Sequence, residues 1–103
     1  MVVHFNIGLD DLPRIIQALP TRDFTITRLH RYSGEYLGQL EIGYSFSAIV
    51  EFYSPDMVAE LAEKLGQECI AVYYPGFFQG EIIYSESFTG ERITFDPKYF
   101  HKP

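Results

Sequence analysis

The chain has 103 residues, 47% of them hydrophobic and 17% aromatic, enough for one well-filled core without metal or disulfide support. Its single cysteine, Cys69, rules out an intramolecular disulfide, and a formal net charge of −6 argues against direct binding to a nucleic-acid backbone. No run of about eighteen apolar residues occurs, and the start MVVHFNIGLDDLP lacks the basic and apolar regions of a secretion signal, so the expectation is a soluble, cytoplasmic protein.

Val2 to Ile7 reads as a short β-branched strand ended by Gly8. LDDLPRIIQALP then carries helix signals: Asp10 or Asp11 as N-cap, Pro13 in the first turn, Leu12, Ile15, Ile16 and Leu19 at helical spacing, and Pro20 as the stop. RDFTITRLHRY, from Arg22 to Tyr32, alternates as a strand does, and Ser33 with Gly34 suits a turn after it.

LEIGYSFSAIVEFY, residues 40–53, sets Leu40, Ile42, Tyr44, Phe46, Ala48, Val50 and Phe52 against Glu41, Gly43, Ser45, Ser47, Ile49, Glu51 and Tyr53. That alternation predicts one face on the core and a Glu/Ser face that is solvated or free for an interface. At about 3.3 Å per residue the stretch would run about 46 Å, so a bend, bulge or hairpin is expected near Gly43.

SPDMVAELAEKLGQ is the strongest local signal, with Ser54 as N-cap, Pro55 at the first helical position, Asp56 at the positive end of the dipole and Gly66 as the left-handed cap. Met57, Val58, Leu61, Ala62 and Leu65 form its buried stripe. A buried strand from Cys69 to Tyr74, a PGFFQG loop, an EIIYS strand and an ERITF segment able to pair complete the chain. The predicted class is α+β: a single domain over residues 1–103, two helices on one face of an antiparallel sheet, in a ferredoxin-like βαββαβ order with one or two extra C-terminal strands.

Charge is uneven. From Arg14 to Arg31 the four arginines Arg14, Arg22, Arg28 and Arg31 stand against the single Asp23, whereas from Glu35 to Glu91 the ten acids Glu35, Glu41, Glu51, Asp56, Glu60, Glu63, Glu68, Glu81, Glu86 and Glu91 face only Lys64. Such a field speeds encounter with a basic partner and repels phosphate.

Motifs for chemistry are absent. Glycines occur singly, without the strand-to-helix setting and Lys-Ser/Thr of a phosphate loop, and His4, His30 and His101 lie far apart, with only His4 and His30 able to meet on adjacent strands. Cys69 opens a buried strand, where a thiol serves as a small hydrophobe. Glu41 and Glu51 could form an acid pair, but Ser45 and Ser47 beside them look like a solvated sheet surface. TRLHRYSGEY interleaves Arg28, His30 and Arg31 with Tyr32 and Tyr36 but lacks the aromatic-glycine pattern of an RNA-recognition strand.

The functional expectation is therefore a small acidic, non-enzymatic interaction protein, without cofactor or metal, that binds and inhibits a basic nucleic-acid-directed protein in the style of immunity proteins and phage inhibitors. Its partner-binding residues are expected to be the anchors Tyr74, Phe77, Phe78 and Tyr84 with the carboxylates Glu81, Glu86 and Glu91. Two other readings stand beside it: a ligand-binding domain or enzyme with a pocket between sheet and loop using Tyr44, His30 or Cys69, and a homodimeric structural subunit.

Overall fold

Local chemistry explains where the elements begin and end. The structure, a computed structural model, describes residues 1–19, 24–74 and 79–95. Strand β1, Val2–Ile7, leads into the short helix α1, Leu12–Ala18, whose N-cap is Asp11: its Oδ1 accepts the Arg14 N–H at 3.3 Å. Ile15 and Leu19 bury their side chains while Ile16 is exposed, so the predicted apolar stripe is only half used. Helix α2, Pro55–Leu65, is closed at both ends. Ser54 Oγ accepts the Asp56 N–H at 3.2 Å, and Gly66 adopts φ 67, letting its own N–H and that of Gln67 reach the Glu63 and Ala62 carbonyls.

The remaining strands are β2 (Phe24–Tyr36), β3 (Gln39–Val50), β4 (Cys69–Tyr74) and β5 (Gln79–Tyr84). They form one five-stranded sheet in the order β2-β3-β1-β4-β5, every neighbouring pair antiparallel. Central β1 places Phe5 opposite Phe46 on one side and Val72 on the other. One core gathers Val3, Phe5, Ile7, Phe46, Ala48, Val50, Ile70 and Val72 with Ile15, Val58, Leu61 and Leu65 of the helices, and Phe5 stacks on Phe46 with centroids 5.0 Å apart. The result is a small compact α+β domain with two helices and a five-stranded antiparallel sheet. Its radius of gyration is 12.5 Å, against about 13 Å expected for 100 residues. No helix among the described residues is long and apolar enough to cross a membrane.

Four expectations are corrected. The turn is not at Ser33 and Gly34: β2 continues to Tyr36, and Leu37 (φ 50) with Gly38 (φ 78) closes a two-residue hairpin between Tyr36 and Gln39. Two consecutive left-handed residues match the strand twist, which makes this turn a better closure than the Ser-Gly pair. The long strand β3 does not break near Gly43. Its irregularity is taken up across the ladder, between Ile26 and Arg28 of β2, where Thr27 Oγ1 donates to the Ser47 carbonyl at 3.4 Å. The alternation also overstates the buried face, because Leu40 is 73% exposed and Phe52 78%.

Finally, residues 91–95 add no strand. The chain after β5 turns at Ser85, whose carbonyl accepts the Phe88 N–H, and then crosses the sheet. Phe88 stacks on Tyr84 at 4.4 Å, the Arg92 guanidinium sits 5.0 Å from the Tyr84 ring centre, the Ile93 N–H donates to the Tyr84 hydroxyl at 2.6 Å, and Phe95 stacks on Tyr73. Of the one or two extra strands expected, one forms among the described residues. Pro20, Arg22, Asp23, the PGFF part of the predicted loop, with Phe77 and Phe78, and Pro97 lie outside the described residues.

Candidate functional site

Alternation along the strands leaves His4, Asn6, Ser45 and Ser47 on the sheet face opposite the core, with Arg28, Tyr32, Cys69, Ala71 and Tyr73 beside them by register. This is the Glu/Ser face that the alternation suggested would be solvated, yet Asn6 is 4% exposed and Ser45 and Ser47 3% each. Ser47 Oγ pairs with His4 Nδ1 at 2.5 Å. Asn6 Oδ1 and Nδ2 have no hydrogen-bond partner among the described residues. A buried, unpaired amide costs about 1–3 kcal/mol, and stability alone would not place one at the centre of a sheet.

Asn6 looks into a cavity of about 40 Å³ whose walls include Tyr32, Tyr36, Glu41 and Cys69. The cavity adjoins a cleft of about 420 Å³ that shares Gly8, Tyr36, Glu41 and Cys69 and adds Gln67 and Glu68. The fold explains the convergence. β3 and β4 flank β1 on its two sides, and β1 ends in Gly8, which has no side chain to fill the gap. The Glu41 carboxylate lies over that gap, so a Cβ on Gly8 would stand 2.1 Å from its Oε2. Tyr32 and Tyr36 come from one face of β2, and the Tyr36 hydroxyl donates to Glu68 Oε2 at 3.3 Å.

The electrostatics are those of an acidic, partly dry cleft. Burial raises Glu41 above the usual carboxylate range, and Glu68 raises it further. Tyr32 is pushed up by burial and then by Glu41, and Tyr36 by burial and then by its hydrogen bond with Cys69. Cys69 is raised to about 11, chiefly by burial, so its thiol stays protonated at neutral pH and is no nucleophile. The Glu41 and Glu68 carboxylates line the cavity and cleft, and among the described residues no basic side chain does.

The expected partner-binding residues are not gathered here. Tyr74 and Glu81 sit together at the far end of β4 and β5, the Tyr74 hydroxyl donating to Glu81 Oε1 at 2.9 Å. Tyr84 is 6% exposed, with its ring under Phe88 and Arg92, so it anchors the chain's own C-terminal segment. Glu86 and Glu91 are exposed on that segment, and Phe77 and Phe78 lie outside the described residues.

Other constellations dissolve as well. His4 and His30 lie on β1 and β2 with β3 between them, and no group of three metal-ligating side chains occurs among the described residues. Glu41 lies in β3 and Glu51 beyond its end, about 33 Å apart at strand spacing, too far for one acid pair. Tyr44 packs against the core, on the other side of the sheet from His30 and Cys69. Ser47 and His4 have the pairing of a nucleophile and base, but at 3% exposure Ser47 Oγ is closed to a substrate. Sequence reasoning missed Asn6, Tyr32, Tyr36 and Glu68 as one group. The available signal was Asn6 itself, a residue depleted in strands standing inside VVHFNI.

His4 gives this face a pH dependence. Burial, and then Arg28, lower its pKa below 6.5. The unfolded chain then binds more protons than the folded one just below 6.5, so the His4 contribution is whole above 6.5 and lost as pH falls through the folded value. Glu41 acts oppositely, its contribution whole below about 4.5 and lost as pH rises through its raised value. We expect His4→Gln to shrink the melting-temperature drop between pH 7.5 and 5 measured by circular dichroism. An undiminished drop would show that His4 is charged without penalty.

Compared with known proteins, the chain matches no family model, no curated protein and no solved structure.

Proposed function

We propose that this chain is a small non-enzymatic interaction protein that captures a basic surface on a partner protein through the acidic, tyrosine-walled cleft. The observation that carries this reading is the convergence of Glu41 and Glu68 with Tyr32 and Tyr36 where, among the described residues, no basic side chain lines the walls. The acidic lining continues past Glu68 to Glu63, whose Oε2 accepts from Ser87, beside Ser85, whose N–H bonds the Glu68 carbonyl. Arg31 and Asp10 form an ion pair at 2.7 Å, whereas Glu41 and Glu68 meet no cation among the described residues. Such a surface steers a cation-rich partner and gives it aromatic walls to settle against.

The partner class that fits is a basic, nucleic-acid-directed protein whose phosphate-binding surface the acidic face occupies, so that capture inhibits. Glu81, Glu86 and Glu91 serve as outer steering charges, and Tyr74 is a second point of contact, with Phe77 and Phe78 kept as anchors on the sequence alone. The protonated Cys69 and the closed Ser47 favour binding over catalysis. We also read the sheet as ferredoxin-like with one added edge strand and both helices on its core face. That reading is supported by the β2-β3-β1-β4 order with β5 outside, and by the shared core of Ile15, Val58, Leu61 and Phe5.

The test is capture with the full chain, comparing wild type, Glu41→Lys with Glu68→Lys, and Glu81→Lys with Glu86→Lys and Glu91→Lys. The cleft pair is expected to abolish retention of the captured basic protein. The outer triple should slow association about tenfold with little change in dissociation, and raising salt should erase that difference. Retention indifferent to salt and to the cleft pair would overturn the proposal, and self-association as the sole product would replace it with the homodimer.

A further inference from the structure

The unpaired amide of Asn6 is a demand that the acidic rim alone does not explain. We propose that the inner cleft is a receptor for a single guanidinium group, with Asn6 at its floor, Tyr32 and Tyr36 as its walls and the Glu41 and Glu68 carboxylates at its mouth. This rests on the interaction reading above and names the group that reading leaves open.

Three features select that chemistry. The first is hydrogen-bonding sense: Asn6 Oδ1 has no donor, and Glu41 and Glu68 are acceptors when ionised. A group made only of donors answers Asn6 Oδ1 and Glu41 within the cavity, with the Glu68 charge in the adjoining cleft beside it and a retained water serving Asn6 Nδ2. The second is size. A space of about 40 Å³ has room for about three waters, close to a planar head of four heavy atoms, and the adjoining cleft of about 420 Å³ takes the methylene stem. The third is shape. Guanidinium is flat, weakly hydrated and stacks on aromatic rings, so it loses less than an ammonium on entering a dry, tyrosine-lined slot. Burial and then repulsion from Glu68 raise Glu41, and an arriving cation offsets both by favouring its ionised form.

Guanidinium reaches such a site from two sources, an arginine side chain of a partner protein or a free guanidino compound. The test is an amide-resolved NMR titration of the full chain with N-acetyl-arginine amide, N-acetyl-lysine amide and methylguanidine. Shifts confined to Asn6, Tyr32, Tyr36, Glu41 and Cys69 are expected with the arginine probe, with several-fold weaker binding of the lysine probe. Glu41→Gln should weaken the arginine probe about tenfold, the loss of one charge-assisted contact. If that variant is poorly folded by signal dispersion, Glu68→Gln replaces it.

Tighter binding of the arginine probe than of methylguanidine assigns the site to a partner's side chain, and equal binding assigns it to a free compound. Lysine binding as tightly as arginine, shifts scattered over all the acids, or affinity unchanged in both glutamine variants would overturn the proposal. Absence of cleft binding with salt-dependent capture intact removes this inference and leaves the interaction reading standing. Arginine binding without salt-dependent capture does the reverse.

Discussion

Gly43→Ala is expected to lower the melting temperature by roughly 12–24 °C, the equivalent of about 3 kcal/mol in a domain of this size. A Cβ at position 43 would stand 1.9 Å from the Ile7 carbonyl oxygen and 2.9 Å from the Ile7 carbonyl carbon and Gly8 Cα. All three are backbone atoms at the end of β1 and just beyond it, so no rotamer change makes room. The end of β1 has to move away from β3, loosening the rungs that pair Asn6 with Ser45 and Ile7 with Tyr44. Those rungs hold the floor of the cleft on one face and Ile7 in the core on the other. Gly38→Ala is the comparison: Gly38 has φ 78 in the hairpin turn and nothing within 4 Å of a new Cβ, so only left-handed strain of about 1–2 kcal/mol is expected. Urea or thermal denaturation of the two variants measures the difference. A Gly43→Ala cost below that of Gly38→Ala would mean that the close approach of β1 and β3 yields readily.

What could be read from the sequence follows the range over which each signal acts. Helix α2 was legible residue by residue, because Ser54, Pro55, Asp56 and Gly66 each act on their own turn of backbone. Strands β1 and β4 were legible because they are central and apolar. The β2–β3 hairpin was less so, since its turn is set by where two long strands end together, a property of register that Ser33 and Gly34 do not feel. The same holds for the register shift between Ile26 and Arg28, which lies in the partner strand and not near Gly43. Acidity was plain in composition, but which carboxylates converge was not. Glu41 and Glu68 meet only because β3 and β4 both lie beside β1 and Gly8 leaves a gap. Tyr84 was read as an outward anchor because Phe88, Arg92 and Phe95 follow it without any period. Nothing local says that this segment folds back over the ring.

Asn6→Leu should show that stability and binding pull against each other on this face. Leucine keeps the branched skeleton of asparagine, and the adjoining cavity of about 40 Å³ takes up its extra bulk. The substitution removes two buried polar atoms that have no partner, a gain of about 1 kcal/mol or more, or a melting temperature higher by roughly 4–8 °C. It also removes the acceptor at the cleft floor and narrows the slot, so the arginine probe should lose its binding altogether. Neighbouring Phe5 points the other way, into the Phe46 and Phe24 rings, and its truncation would cost stability with no such return. A residue whose replacement strengthens the fold while emptying the site is one kept for what it binds, at a cost in stability that selection tolerates. If Asn6→Leu is instead less stable and still binds the probe, Asn6 has partners that hold the sheet together, and the cleft loses its claim to be a site.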